Sequence, residues 1–523
     1  MKRVLLLSLF VIALASCRKQ PATLYILETT DLHGEMGASM ASAAGYIEQA
    51  RKEYGDGLIL LDCGDVLQSS PEVCYSDFID TTSMHIYSQI YNWLQYDAVA
   101  VGNHDFEAGK SVYKRVYSHV DMPVLCANIV YTRSNKPLFK PYTVLHRNGY
   151  KIAVLGLVNP ASLEWLVENY RDGVSVTDMK ESAAYWVRHI YRKENPDVLI
   201  GLFHTGNGKS ETFPAAEIVE SVPGIDLVCC GHVHRAEVNT AISPAGDSVT
   251  IMEAGSHADH IAKAKILINP NVTRKPTLTV SAEMIDTKDL PQDKKFVDFI
   301  TPFIDRAKQY YDRPVCTIDS TICSTDVLNG PSAWVDLLHR SYLQIAANMG
   351  FEPARMDVVS FASPSLRDAC LNEGQLTVRD FILLYPRENT ISVVEMTGQE
   401  ILQYLEYSYD LAISDPDGSI YNFDSAGGIV YTVDSLQPFG SRVTIVKTAG
   451  GNRFFLDRRY PVVMSTFRAM GGGSHLGEGL GWSYKTMSRR VMKVSDKPLR
   501  DMLIDLYSGK EIDATPINTW RYL

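Results

Sequence analysis

The sequence lacks several features that would point to particular classes of protein. No apolar run among its 523 residues reaches transmembrane length, which argues against a membrane-spanning helix. Lysine and arginine form no cluster and the formal net charge is -11, which argues against a nucleic-acid polymer as partner. No pair of the nine cysteines has zinc-knuckle spacing, and we find no internal repeat. The remaining composition, 46% hydrophobic and 21% charged, is typical of a globular protein.

The first 17 residues have the pattern of a targeting segment. Two basic residues precede an apolar run over 4–15, which is too short to span a membrane and suits a signal peptide. The sequence Leu-Ala-Ser-Cys17 resembles the lipobox of bacterial lipoproteins, in which the cysteine carries the lipid. We therefore expect residues 1–17 to be a lipoprotein signal peptide with its lipobox, and Cys17 to anchor the mature chain in the cell envelope, outside the cytoplasm. A plain secretory signal is the alternative.

The rest of the chain divides by pattern into two domains. Apolar runs of strand length alternate with helical periodicity from residue 22 to residue 285, which predicts an α/β domain. A charged, helix-capable segment follows, and we expect residues 286–312 to form a linker helix. Residues 313–523 are enough for a second domain with its own core.

Polar side chains that can bind metal or transfer protons directly follow five apolar runs. They are Asp31, His33, Asp65, Asn103, His104, His204, His232 and His234. If these strands share a sheet, their ends converge at the edge where α/β proteins bind ligands. Carboxylate, amide and imidazole without thiolate suit zinc, manganese, iron or cobalt, and eight groups suit two ions better than one. Taken singly, each residue could instead be a helix cap, a turn residue or a buried structural histidine.

These blocks resemble, in order, the five motifs of the calcineurin-like metallophosphoesterases. The motifs are Asp-x-His, Gly-Asp-x-x-Gln, Gly-Asn-His-Asp, a lone histidine and Gly-His-x-His. Within that family the chain is similar to the bacterial 5′-nucleotidase and 2′,3′-cyclic-nucleotide 2′-phosphodiesterase/3′-nucleotidase group. Its segment Glu28-Thr-Thr-Asp-Leu-His33 is most similar to the cyclic phosphodiesterase branch. The resemblance implies an N-terminal metallophosphoesterase αββα sandwich and a C-terminal α+β domain of the 5′-nucleotidase type.

The resemblance also implies roles for the matching residues. One metal ion would be held by Asp31, His33, Asp65 and His234, and the other by Asp65, Asn103, His204 and His232, with Asp65 bridging. His104 would face the transferred phosphoryl group as a catalytic residue. Glu107 stands where the family often has a shorter aspartate or asparagine, so its support of His104 is left open. Asp105 replaces a frequent glutamate.

The second domain carries three predicted substrate-binding residues. Arg367 lies in a segment that resembles the family's phosphate-gripping loop, although Ser363 and Pro364 replace its usual glycines. Phe423, or alternatively Tyr421, and Phe467 lie beside glycine-rich loops and could stack a nucleobase. A surface arginine and core aromatic rings are the alternatives.

The cysteines divide by context. Cys63, Cys126, Cys229 and Cys230 lie in apolar runs and are expected in the core. Cys316 and Cys323 could form a disulfide in an exported protein, which the sequence does not decide.

These patterns and the resemblance together imply an exported enzyme that hydrolyses phosphate esters of nucleotides with two divalent metal ions, for nucleotide salvage. Two alternatives remain open. One is a nucleotide-sugar or thiosulfate-ester hydrolase of the same superfamily, and the other is a tethered nucleotide-binding receptor without turnover. The sequence leaves open the identity of the metal, the choice among 5′, 3′ and 2′,3′-cyclic substrates, and the oligomeric state.

Overall fold

The computed structural model describes residues 19–67, 70–160, 173–206, 214–271, 275–387, 389–414 and 420–523. The predicted signal peptide, its lipobox with Cys17, and Gln68 of the second motif lie outside the described residues. The chain forms two compact units that divide after Asp305. Within the described residues, no helix combines the length and the apolar character needed to cross a membrane.

The N-terminal unit contains most of the strands that the sequence predicts, and several more. Its strands are β1 (Ala22–Thr29), β2 (Leu58–Asp62), β3 (Ala98–Ala100), β4 (Val124–Leu125), β5 (Ile129–Tyr131), β6 (Tyr142–Arg147), β7 (Tyr150–Val158), β8 (Val174–Val176), β9 (Val198–His204), β10 (Leu227–Cys230), β11 (Ala236–Ile242), β12 (Ser248–Ala254), β13 (His260–Asn269) and β14 (Thr277–Asp286). Its helices are Ala38–Tyr54, Pro71–Cys74, Ile86–Leu94, Lys110–Tyr117, Met179–Lys193 and Ala215–Ser221. The helix Lys294–Tyr311 contains the division between the units.

Two six-stranded sheets form the centre of the N-terminal unit. Their strand orders are β14-β13-β1-β2-β3-β4 and β11-β12-β10-β9-β7-β6. Ile26 and Ile59 of the first sheet belong to one buried cluster with Ile200 and Cys229 of the second. The opposite faces of the sheets pack against helices in two further clusters. The predicted αββα sandwich is confirmed.

The strand ends converge, but from two sheets rather than one. β1, β2 and β3 run parallel, with Thr29 beside Asp62 and Asp62 beside Val99, so their carboxyl ends lie at one level. β9 and β10 run parallel in the other sheet, with Phe203 beside Cys230. The polar loops therefore come from two facing layers of the αββα sandwich and not from one shared sheet.

The C-terminal unit is built on a five-stranded mixed sheet of order β21-β17-β24-β20-β25 with smaller sheets around it. Its strands are β15 (Pro314–Ile318), β16 (Ile322–Cys323), β17 (Val359–Ala362), β18 (Cys370–Leu371), β19 (Gly374–Thr377), β20 (Ile391–Thr397), β21 (Ser425–Gly427), β22 (Ile429–Val433), β23 (Val443–Thr448), β24 (Arg459–Ser465), β25 (Val491–Val494), β26 (Glu511–Ile512) and β27 (Trp520–Tyr522). Its helices are Ala333–Asn348, Pro353–Met356, Val378–Leu384, Gly398–Ser414, Thr466–Ala469, Tyr484–Arg490 and Leu499–Tyr507. This is the expected α+β domain.

The disulfide differs from the pair that the sequence suggested. Cys323 is bonded to Cys370 and not to Cys316. The reason is the ladder between β16 and β18, which places Cys323 directly opposite Cys370. Cys316 is a free, buried cysteine. The four cysteines predicted in the core, among them Cys63 and Cys126, are all buried.

Candidate metal centre

The loops after the five strands bring the predicted ligands into two groups. Asp31, His33 and His234 have ligand atoms within 4.8 Å of one another. Asp65, His204 and His232 form a second group by the same measure. Four of these six residues are buried, whereas His232 is partly buried and His234 is exposed. Residues separated by up to 203 positions in the sequence therefore meet around two small sites.

Asn103 belongs to the second group. Its Oδ1 lies 3.1 Å from Nε2 of His204 and 2.8 Å from Nδ1 of His232. Oδ2 of Asp65 lies 3.0 Å from the same Nε2 of His204. The structure thus brings together all seven residues that the sequence assigned to metal binding.

The donor atoms of the second group fit a cation. Nδ1 of His204 lies 2.8 Å from the carbonyl oxygen of Cys63, so in the neutral ring Nδ1–H donates there and Nε2 keeps its lone pair. That lone pair faces oxygens of Asn103 and Asp65, which can also only accept. With the ring neutral these three acceptors share no hydrogen, so either a proton on Nε2 of His204 or a cation between them must supply the positive charge.

The first group has the same character. Nε2 of His33 lies 3.0 Å from Nε2 of His234, and Oδ1 of Asp31 lies 3.3 Å from that nitrogen of His234. Oδ1 of Asp31 is buried and accepts no hydrogen bond of good geometry from the part of the chain that the structure describes. Its Oδ2 accepts from the hydroxyl of Thr30 and from the backbone N–H of His232, which holds the carboxylate in place. Imidazole and carboxylate ligands in these positions suit a borderline divalent ion.

The electrostatics of the site keep Asp65 ionised and set His33 and His232 apart from His204. Burial lowers the pKa of His33 and that of His232 to about 4, so both rings offer lone pairs at neutral pH. Burial opposes ionisation of Asp65, but the neighbouring histidines outweigh it and hold its pKa below the usual range. The carboxylates Asp65 and Asp31 raise the pKa of His204 to about 10 against its burial. The negative potential that raises it also attracts a metal cation.

Local backbone geometry lets the loops approach so closely. A Cβ on Gly102 would lie 2.0 Å from Oδ1 of Asp65, and one on Gly231 would lie 2.2 Å from the hydroxyl of Thr30. Only glycine can occupy either position without moving a ligand loop.

Asp105 has a larger role than the sequence suggested. Its buried carboxylate accepts hydrogen bonds from the backbone N–H groups of Asp65, Val66, Leu67 and Gly102. It therefore fixes the loop that carries Asp65 to the loop that carries Asn103 and His104. The signal in the sequence was a carboxylate inside the third motif, but which amides it meets depends on the fold.

His104 lies beside the metal ligands and contacts Glu107. Its Nδ1 is 2.9 Å from Oε1 of Glu107, and its ring centre is 5.3 Å from that of His33. The backbone N–H of His104 donates to Oδ1 of Asp65 at 2.7 Å. The longer Glu107 side chain thus reaches the histidine, which the sequence had left open.

The predicted substrate residues of the C-terminal unit differ in how deeply they are buried. Phe467 is partly buried, and its ring centre lies 5.6 Å from that of Tyr421. Phe423 is 3% exposed and packs against Tyr409 and Trp520, so it is a core residue, and the alternative Tyr421 is the ring that lies beside Phe467. Arg367 is partly buried.

The backbone of the Arg367 loop is fixed by neighbouring residues. The hydroxyl of Ser324 donates to the carbonyl oxygen of Arg367 at 2.7 Å and accepts from the N–H of Ala369 at 3.1 Å. The Cys323–Cys370 disulfide closes the same segment.

A buried ion pair joins the two glycine-rich loops of the C-terminal unit, residues 421–428 and 465–473. The sequence did not reveal this ion pair. Arg468 lies 2.9 Å from Oδ1 of Asp424, and its guanidinium also donates to the carbonyl oxygens of Tyr421 and Gly472. The hydroxyl of Tyr404 donates to the other oxygen of Asp424. Asp424 has its pKa held low by Arg468 despite burial.

Known proteins resemble the chain along most of its length. The family model "Calcineurin-like phosphoesterase" matches residues 24–236, and "5′-nucleotidase, C-terminal domain" matches residues 319–477. A 2′,3′-cyclic-nucleotide 2′-phosphodiesterase/3′-nucleotidase of Yersinia enterocolitica is 26% identical over 515 residues, which cover 84% of this chain and 78% of that protein. A 5′-nucleotidase of Vibrio parahaemolyticus is 24% identical over 518 residues, 88% of each.

A solved structure shows the same fold. The crystal structure of a candidate 5′-nucleotidase from Staphylococcus aureus has a TM-score of 0.75 at 19% identity, and the match covers 94% of this chain and 100% of that one. The two family models together span more than half of the sequence. The chain therefore belongs to the calcineurin-like phosphoesterases that carry a 5′-nucleotidase C-terminal domain, and it is a metal-dependent phosphoric ester hydrolase.

Proposed function

We propose that the chain hydrolyses phosphate esters of nucleotides with two divalent metal ions. One ion would be held by Asp31, His33, Asp65 and His234, and the other by Asp65, Asn103, His204 and His232, with Asp65 shared. The observation that carries the proposal is the convergence of the two ligand groups, whose lone pairs face one another with His104 alongside. Binding without turnover, as in a receptor, would need neither group nor an adjacent histidine.

The residues around the metal centre have different roles in the proposed hydrolysis. Bound divalent ions supply Lewis acidity and lower the pKa of water at the site. The chain's own carboxylates and imidazoles would fix where that charge lies, since Asp31, Asp65 and His204 are fully buried and preorganised. Glu107 contacts Nδ1 of His104 and thereby orients the ring, so that Nε2 carries the proton to the leaving oxygen of the ester.

We assign substrate recognition to the C-terminal unit. Arg367 offers a planar pair of donors for the phosphate oxygens, and the rings of Phe467 and Tyr421 offer faces for a nucleobase. The curated relatives support a nucleotide substrate, because they are named for 5′-nucleotide and for 2′,3′-cyclic-nucleotide hydrolysis. We propose a metallophosphoesterase domain over residues 22–285, a linker helix over 286–312 and a substrate-binding domain over 313–523.

We also propose that the enzyme works outside the cytoplasm, anchored through Cys17 by a lipid. The N-terminal pattern of the sequence supports export. The Cys323–Cys370 disulfide supports it independently, because structural disulfides persist in oxidising compartments. Salvage of extracellular nucleotides would then be the physiological task.

Phosphate release from AMP, 3′-AMP and 2′,3′-cyclic AMP tests the activity. A 3′-nucleotidase acts after ring opening of the cyclic substrate, so the three compounds separate the possible specificities. We expect turnover of at least one when the chain is loaded with Mn²⁺, Zn²⁺ or Co²⁺, and none after chelation. Turnover of a nucleotide sugar or a thiosulfate ester in their place would favour the alternative hydrolases. Nucleotide binding with neither phosphate release nor opening of the cyclic ester would contradict the proposed hydrolysis.

A further inference from the structure

The two histidines of the Gly-His-x-His motif have unfavourable backbone torsions. His232 has φ of 91° and His234 has φ of 58°, and positive φ values are uncommon for residues other than glycine. Such residues persist only where the surroundings hold them there. The two side chains point into different ligand groups, so this one turn serves both metal sites.

Glu253 is the side chain that holds this turn. It lies near the end of β12, directly beside Cys230 of β10, the strand from which the turn departs. Its Oε1 accepts from the backbone N–H of Val233 at 3.2 Å and from that of Arg235 at 3.4 Å. These two amides follow His232 and His234 in the chain, so one oxygen binds the backbone beside each histidine.

Glu253 is buried, and only one of its two carboxyl oxygens makes hydrogen bonds to described residues. The residue is 2% exposed, and its second oxygen, Oε2, is buried with no hydrogen-bond partner among the described residues. Placing a carboxyl group in the core costs free energy unless it is hydrogen-bonded. The hydrogen bonds that it does make go to the metal-ligand turn, and neither partner is a side chain.

We propose that Glu253 is a positioning residue whose Oε1 clamps the His232–His234 turn and so sets the affinity of both metal sites. The proposal rests on the ligand set proposed above. Outer residues that orient metal ligands change metal affinity by about 10–100-fold when they are replaced. We expect an effect of that size here, on both ions, although Glu253 is not itself a ligand.

Two neutral substitutions of similar size separate the clamp from a packing role. Glu253→Gln keeps an oxygen that can accept from both amides, whereas Glu253→Met fills the same space without an acceptor. The matched control is Glu237→Met, because Glu237 lies directly opposite Glu253 on the neighbouring strand β11. Each full-length variant is freed of metal by chelation and titrated with Co²⁺, and binding is followed by the visible absorption of the cobalt. Circular dichroism checks that each variant is folded.

The clamp predicts that Glu253→Met weakens cobalt binding about 10–100-fold, while Glu253→Gln and Glu237→Met stay within about threefold of the unchanged chain. Equal binding by the Met and unchanged chains, or an equal loss in the Gln and Met variants, would overturn it. If Glu253→Met does not fold, Glu253→Asp replaces it, since its shorter side chain withdraws the carboxylate from both amides. Absence of cobalt binding by the unchanged chain would instead contradict the metal centre itself.

Discussion

Five of the seven proposed metal ligands have backbone torsions in the left-handed region: Asp31, His33, Asp65, His232 and His234. The residue types and their order along the chain could be predicted from the sequence, because each follows an apolar strand. The torsions could not, since they depend on glycines and buried carboxylates that meet these loops only in the folded chain. Asp105 and Glu253 are examples, because each binds backbone N–H groups of a ligand loop.

Replacing His104 should slow turnover without removing metal. His104→Ala is expected to lower kcat by about 10²–10⁴-fold, the usual effect of a general acid. Its ring contacts Glu107 and is absent from both ligand groups, so elemental analysis should find the metal content unchanged. Near-normal turnover, or loss of metal, would contradict the role proposed for this residue.

Asp105→Asn tests the carboxylate that joins two ligand loops. An asparagine has one acceptor oxygen where four backbone N–H groups now converge, and its NH₂ would face donors. We expect the free energy of unfolding to fall by about 1–3 kcal/mol, measured by urea denaturation. Asp121→Asn, at an exposed position, is the control and should change stability little. Equal stability of the two variants would show that Asp105 does not fix the loops.

At the scale of elements, the strands that carry the site could be predicted from the sequence, whereas the edge strands were harder to predict. The five apolar runs correspond to β1, β2, β3, β9 and β10, whose residues are nearly all buried. β11 and β14 contain few fully buried residues, so no apolar run marks them. Apolar runs also cannot tell which sheet a strand joins, so the division of the five site-bearing strands between two sheets is seen only in the fold.

Breaking the ion pair between Arg468 and Asp424, which joins the two glycine-rich loops of the C-terminal unit, should cause a large loss of stability. Arg468→Met removes one partner of a fully buried ion pair and leaves Asp424 uncompensated. Breaking such a pair costs about 3–5 kcal/mol of unfolding free energy. Arg459→Met is the matched control, since Arg459 is 58% exposed and its ion pair with Glu395 should contribute about 0–1 kcal/mol. Urea denaturation of both variants compares them, and similar losses would contradict the prediction.

At the scale of the whole molecule, the sequence predicted two domains of the observed classes. The composition shift lies near residue 287, and the compact units divide after Asp305, inside the helix Lys294–Tyr311. A sequence pattern marks where helical periodicity begins but not which core a helix joins. Phe296 and Ile300 of this helix belong to the helical core cluster of the N-terminal unit, which residue composition alone could not show.

Two buried histidines should make the stability of the full chain depend on pH. Burial lowers the pKa of His339 to about 3, and burial together with Arg468 lowers that of His475 to about 4. The unfolded chain protonates these rings below pH about 6.5 while the folded chain keeps them neutral, so acid favours unfolding. Each histidine contributes a fall of about 1.4 kcal/mol per pH unit, beginning below about 6.5 and ending at its folded pKa.

Urea denaturation of His339→Gln at pH 6 and pH 5 measures this contribution. The difference in unfolding free energy between the two pH values should be smaller in the variant by about 1.4 kcal/mol. The exposed His119 provides the control, because His119→Gln should keep the slope of the unchanged chain. A slope unaffected by His339→Gln would mean that this ring is protonated in the folded chain as well.

The binuclear metal centre is tested most directly by anomalous diffraction from crystals of the full chain grown with Mn²⁺. The proposed centre predicts two peaks per chain, with the spacing of about 3.5–4 Å that is typical of two-metal sites. One peak should lie beside Asp31, His33 and His234, the other beside Asn103, His204 and His232, and Asp65 should contact both. A single peak, or peaks away from these side chains, would contradict the two-metal centre.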